Sequence, residues 1–209
     1  MGFLEDGRAL AGVCNFMKMA SLILASASPR RSELLRQIGL DFNVLAGHAE
    51  EITPEHLSPA EIAQVNAYRK ARLVAKKYPD RVVLGADTLV SLGHLLFGKP
   101  ADLQAAEDML AKLQGRTHLV ITGVCLIHLR THRQKTFFAS TAVTFRTLHA
   151  AQIRRYLSRI NPLDKAGAYA IQEEGDEIVK NIKGSFSNVV GLPLERLEQE
   201  LEHWSTVAA

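Results

Sequence analysis

The sequence predicts an α/β domain with strands and helices interleaved along the chain. Three observations carry this expectation. Short apolar runs of strand length alternate with longer stretches of helical periodicity. Glycine and proline punctuate the transitions, at Gly39, Pro79, Gly93, Pro100 and Gly115 among others. Charged residues, 22 % of the chain, fall mainly in the loops, while 47 % apolar residues suffice for a continuous core. At 209 residues the chain fits one domain, or at most two small lobes sharing a cleft.

The apolar run 22–25 reads as a strand that feeds a tight turn, Ser26-Ala27-Ser28-Pro29-Arg30-Arg31, and then a helix over 32–38 closed by Gly39. A second strand follows at 42–45. Ser58-Pro59-Ala60-Glu61 is a helix N-terminus, with Ser58 as cap, Pro59 in the first turn and Glu61 completing a capping box. That helix runs to about residue 77, with Asn66 and Lys70 one turn apart on one stripe. Residues 82–84 form a buried type of strand, followed by Gly85-Ala86-Asp87-Thr88 and the apolar run 89–92. Gly93-His94 makes a hairpin turn to 95–97, and Asp102 caps a helix stopped by Gly115. Longer strands are expected at 119–129 and 137–145, then a helix over 152–160. Strand-like pieces at 169–171, 178–182 and 188–191 precede a closing helix over 194–204.

The composition also excludes several classes. Lys and Arg are spread along the chain, and the net charge is +3, which argues against a dedicated duplex-binding surface. Cys14 and Cys125 stand far apart with no CxxC pair, so a disulfide framework or structural zinc site is not expected. Two reduced thiols in a reducing compartment fit that usage. No apolar run reaches the ~18 residues of a membrane span. Residues 1–20 are a poor secretory signal and are expected to be a tail, leaving one domain over 21–209.

Several residues invite chemistry. A strand–turn–helix at Ser26 to Arg31 aims backbone N–H groups and a helix dipole at one point, and two arginines add donors matched to phosphate. An ordinary capped helix with two solvated arginines is the alternative. Asp87, at the end of an apolar strand beside a glycine, suits metal binding or general-base work. Glu50 and Glu51 offer a second carboxylate. Lys70 and Lys99 are further cations for the phosphoryl-transfer pattern of phosphate-binding cations, metal-holding carboxylates and a base for water. The Walker pattern is absent, as are H-E-x-x-H and G-x-S-x-G.

These residues lie in segments through which the chain resembles the Maf family, the septum-formation-inhibitor-like nucleotide pyrophosphatases. The segments are Leu22-Ile-Leu-Ala-Ser-Ala-Ser-Pro-Arg-Arg31, Gly85-Ala-Asp-Thr88, Gly98-Lys-Pro100, Gly115-Arg-Thr-His118, Asp164-Lys-Ala-Gly-Ala-Tyr-Ala-Ile-Gln172 and Ser187-Asn-Val-Val-Gly-Leu-Pro193. They occur in family order. The resemblance implies an elongated mixed β-sheet flanked by helices, with a cleft between two lobes, similar to the inosine triphosphate pyrophosphatases (Maf/Ham1). It implies a cytoplasmic, often dimeric enzyme that hydrolyses nucleoside triphosphates to the monophosphate and pyrophosphate with Mg²⁺, Mn²⁺ or Co²⁺.

Carried over by position, the resemblance makes Asp87 the proton acceptor and Glu50 its partner at the metal. It makes Ser28, Arg30, Arg31, Lys70 and Lys99 phosphate contacts, and links Arg30, Thr88 and Gln172 to base selection in the branch acting on dTTP and UTP. Neither a membrane nor a stable nucleic-acid complex is expected. The rival readings are the 7-methyl-GTP branch of the same family and a non-catalytic regulator of cell division that binds nucleotide or nucleic acid.

Overall fold

Leu22–Leu24 forms β1 in a computed structural model that describes residues 22–47 and 49–206. The tail expected at 1–20 lies outside the described residues. Pro29–Gln37 (α1) follows the turn, and Phe42–Val44 (β2) follows α1. Pro59–Ala75 (α2) begins at the expected capping box: Ser58 Oγ accepts from the Glu61 N–H, and the Ser58 N–H donates to Glu61 Oε2. Val83–Leu92 (β3) and Leu95–Phe97 (β4) form the hairpin, and Asp102 caps Leu103–Leu113 (α3). Thr117–His128 (β5) and Arg133–Phe145 (β6) are the long strands. Ala150–Leu157 (α4), Gly175–Ile178 (α5), Val179–Lys183 (β7), Phe186–Val190 (α6) and Leu194–Thr206 (α7) complete the order.

The strands make one mixed, seven-stranded sheet in the order β2-β1-β3-β5-β6-β7, with β4 paired to β3. β1 is parallel to β2 and β3, and the remaining pairs are antiparallel. Strand alternation decides which helix covers which residue. Ile23, Val83, Cys125 and Ile127 face α2 through Ala67, Ala71 and Val74. On the opposite face, Leu24, Leu84, Val124 and Leu126 pack with α1 and with Leu197 and Trp204 of α7. Farther along that face, Val90, Val120, Val143 and Phe145 pack with α3 and α4. Two apolar clusters thus share one face.

Helix α2 lies unusually close to the sheet because glycine leaves room for it. An added Cβ at Gly85 would sit 2.3 Å from the Ala67 carbonyl oxygen, and one at Gly123 would sit 2.3 Å from the Ala63 carbonyl carbon. Ala63, Ala67 and Ala71 are the matching small residues on the helix. Gly123 lies directly across from Asp87 in the β3–β5 register, so this contact sets the height of α2 above Asp87.

Three expectations shift. β3 runs unbroken through Gly85-Ala86-Asp87-Thr88, so Asp87 lies within a strand and not at its end; pairing with β5 continues across it. Residues 188–191 close a short helix in place of a strand, because the Ser185 hydroxyl caps it by accepting from the Asn188 N–H. Residues 169–171 join no strand.

His118, on β5, is 1 % exposed and bonds through Nε2 to the Tyr169 hydroxyl at 2.9 Å, while its Nδ1 has no partner. Burial pushes its pKa down to about 4 from the model-peptide value of 6.5. The folded value lies below the unfolded one, so the unfolded chain binds the extra proton between them. Stability from neutral His118 is complete above about pH 6.5 and is lost as pH falls toward 4. In urea melts over this window, His118→Gln should flatten the fall by up to about 1.4 kcal/mol per pH unit, one proton's worth. Parallel wild-type and variant curves would refute a buried neutral imidazole.

Candidate active site

The site forms where the sheet is left open. β1 pairs with β3 at Val83 and Leu84, and β4 joins the same side of β3 at Val90. Between them the edge of β3 faces a cleft of about 400 Å³. The Ser26–Arg31 turn and Gly98-Lys99 line the cleft, as do parts of 164–172 and 189–191. Asp87 and Thr88 both border it, although consecutive strand residues emerge on opposite faces.

On the α2 side, Asp87 is 3 % exposed. Lys70 Nζ donates to Asp87 Oδ1 at 2.5 Å and to Glu51 Oε1 at 2.6 Å, so one ammonium joins two carboxylates. Asn66 Nδ2 donates to Asp87 Oδ2 at 3.2 Å. Burial raises the Glu51 pKa, but the hydrogen bond and charge of Lys70, with the charges of Lys99 and Arg31, outweigh it. The net effect holds the Glu51 carboxyl below the usual range.

On the other side, Arg31 is buried, and each of its three nitrogens donates a hydrogen bond. Its Nε donates to the Gly191 carbonyl at 2.9 Å, Nη1 to Ser26 Oγ at 3.0 Å and Nη2 to Thr88 Oγ1 at 2.9 Å. Burial lowers its pKa, with the Asp87 charge opposing the shift. The Thr122 hydroxyl donates to the Asn188 carbonyl, so the Thr88 hydroxyl must donate to Thr122 Oγ1 at 3.0 Å. Thr88 therefore offers a ligand a lone pair and a methyl group, not a proton.

Arg30 reaches across the cleft to Asp164, donating from Nη1 to Oδ2 at 2.8 Å and from Nη2 to the backbone carbonyl at 3.2 Å. Burial raises the Asp164 pKa, but hydrogen bonds from Lys165 and Arg30 outweigh it and hold the carboxyl low. Lys165 is 4 % exposed and also holds the Asn161 carbonyl.

Of the residues expected from sequence, Ser28, Arg30, Arg31, Lys70, Asp87, Thr88, Lys99 and Gln172 all line this cleft. Glu50 does not. It is exposed, with its backbone carbonyl held by Arg69 Nε at 3.2 Å, and the carboxylate that meets Lys70 belongs to Glu51. Irregular backbone has no period, so adjacent acids could not be told apart beforehand. Asn66, Asp164 and Lys165 are site residues that the sequence reading did not single out. For Asn66 the available signal was its place one turn before Lys70 on α2.

Among the described residues no three His, Cys, Asp or Glu side chains gather as metal ligands. The Glu51–Asp87 pair still fits a magnesium-like ion. Such an ion takes one or two carboxylates and completes its shell with substrate phosphate and water.

Clustered cations facing a carboxylate pair across an open strand edge are the parts that binding a polyphosphate anion requires. The family comparisons agree with that class. The profile described as Maf-like protein matches residues 21–204. A dTTP/UTP pyrophosphatase from Moorella thermoacetica is 48 % identical over 183 residues, covering 88 % of this chain and 94 % of the relative. One from Pelotomaculum thermopropionicum is 43 % identical over 184 residues, covering 88 % and 96 %. A HAM1 protein structure from Coxiella burnetii aligns with TM-score 0.45 at 15 % identity, covering 91 % of this chain and 98 % of the other. The chain belongs to the Maf family.

Proposed function

We propose that this protein hydrolyses nucleoside triphosphates, dTTP and UTP foremost, to the monophosphate and pyrophosphate. The observation that carries the reading is the Lys70–Asp87–Glu51 cluster facing the Ser26–Arg31 turn across one cleft. The names of the relatives supply the nucleotide.

In this mechanism Lys99 and the turn at Ser28 bind the triphosphate, and Arg30 leaves Asp164 in part to meet it. Lys70 shifts toward an incoming phosphate oxygen, which releases Asp87 Oδ1 to accept a proton. Water attacks the α-phosphorus, its proton passes to Asp87, and the bond from the α-phosphorus to the bridging oxygen breaks as pyrophosphate departs. The cations offset charge on the leaving group. Arg31 orients Thr88 and the 191 backbone and adds positive potential to the cleft that it lines. Gln172, exposed at the rim, can donate to and accept from a pyrimidine edge. A divalent cation, Mg²⁺ or else Mn²⁺ or Co²⁺, would be held by Glu51 and Asp87 and would supply water activation and charge neutralisation there.

The proposed setting is the cytoplasm, and the proposed assembly a homodimer with no stable nucleic-acid partner. No helix among the described residues is long and apolar enough to cross a membrane.

A pyrophosphate-release panel over UTP, dTTP, CTP and 7-methyl-GTP tests the reading. UTP and dTTP should be turned over fastest, and EDTA should abolish release until Mg²⁺ is restored. Preference for 7-methyl-GTP would move the chain to the other branch. Nucleotide binding without hydrolysis would make it a regulator.

A further inference from the structure

We infer that Asn66 is a positioning residue for this hydrolysis, holding the Asp87 carboxylate and the Glu51-bearing segment in fixed relation through its side-chain amide. The role rests on the proposed function, in which Asp87 takes the proton.

Asn66 is 1 % exposed in the middle of α2. An asparagine is a poor choice there. It favours helix caps and turns over helix interiors, and a buried amide is costly unless its hydrogen bonds are made. Every one of its polar atoms is bonded. Oδ1 accepts from the Ile52 N–H at 2.9 Å, and Nδ2 donates to the Ile52 carbonyl at 3.1 Å and to Asp87 Oδ2 at 3.2 Å. The orientation of the amide is fixed by its partners, because only the oxygen can accept from Ile52 N–H and only the nitrogen can serve two acceptors.

The amide therefore pairs with both backbone groups of Ile52, much as a neighbouring strand would, and uses its remaining hydrogen on Asp87. The adjacent turn of α2 finishes the attachment. Arg69 holds the Glu50 carbonyl, and Lys70 holds the Glu51 carboxylate. Three consecutive loop residues are thus fastened by Asn66, Arg69 and Lys70 of one helix.

Lys70 and Asn66 divide the two oxygens of Asp87 between a charged and a neutral donor. The charged donor is the one an entering polyphosphate attracts. Asn66 feels no such pull, so it keeps Asp87 aimed after Lys70 has moved. Misplacing a reacting group by about 1 Å can cost on the order of 10²-fold in rate.

The test measures kcat and KM for UTP in the full-length protein and in the Asn66→Leu, Asn66→Asp and Asp87→Asn variants. It also follows amide hydrogen exchange across residues 49–53. Asn66→Leu keeps the approximate shape without hydrogen bonds. Asn66→Asp keeps the outline and loses both donated bonds, so it serves if the leucine variant fails to fold. The expected result is a kcat lowered on the order of 10-fold or more in the folded variant, as loss of an orienting partner typically costs. KM should stay within about threefold, since Arg30 and Lys99 are untouched, and exchange at 49–53 should be faster.

A folded variant with kcat within twofold of wild type, a loss confined to KM, or unchanged exchange at 49–53 would overturn the role. An inactive wild-type protein would instead overturn the functional reading, and this role with it.

Discussion

Asp87→Asn should lower kcat on the order of 10²-fold or more, the typical cost of losing a general base, while the folded protein persists. The substitution preserves outline and size at a position that is 3 % exposed. It replaces the carboxylate proposed to accept the proton by an amide and leaves Lys70 with Glu51 as its carboxylate partner. KM for the triphosphate should change far less, because the turn at Ser28 and Lys99 do not depend on Asp87. Steady-state kinetics on UTP, with circular dichroism to confirm folding, decides the matter. Turnover within twofold of wild type would remove Asp87 from proton transfer.

Gly123→Ala should destabilise the protein by about 3 kcal/mol, the upper end of what an overpacked methyl usually costs. The new Cβ would lie 2.3 Å from the Ala63 carbonyl carbon and 2.4 Å from its oxygen, and neither belongs to a side chain that could rotate away. Helix α2 would have to rise from the sheet. That movement would carry Asn66 and Lys70 off Asp87, so kcat should fall together with the melting temperature. Urea denaturation and kinetics on the same preparation would report both. A stability change below about 0.5 kcal/mol, the range of an ordinary surface substitution, would show that the close approach is not needed.

Local chemistry made much of this molecule readable in advance. Ser58 with Glu61, Asp102, and the Ser26–Arg31 turn each announce a helix start through residues close in sequence, and all three helices begin there. Long-range pairing was not readable. That β3 continues through Gly85-Ala86-Asp87-Thr88 depends on its ladder with β5, more than thirty residues away at the Asp87–Gly123 pair. That Arg31 would be buried was not readable either, because one of its acceptors, the Gly191 carbonyl, lies 160 positions downstream. Glu51 displaced Glu50 for a related reason. Which of two adjacent acids borders the cleft goes with Asn66 gripping Ile52, a contact no periodicity encodes.

The alternation of β3 has one more effect. Asp87 and Thr88 share a peptide bond yet answer to different neighbours, α2 for the first and Arg31 with Thr122 for the second. Substitutions that remodel the threonine's surroundings need not disturb the carboxylate's. Descendants of this chain could therefore vary one wall of the cleft while inheriting the other intact, with the sheet itself acting as the partition between the two histories.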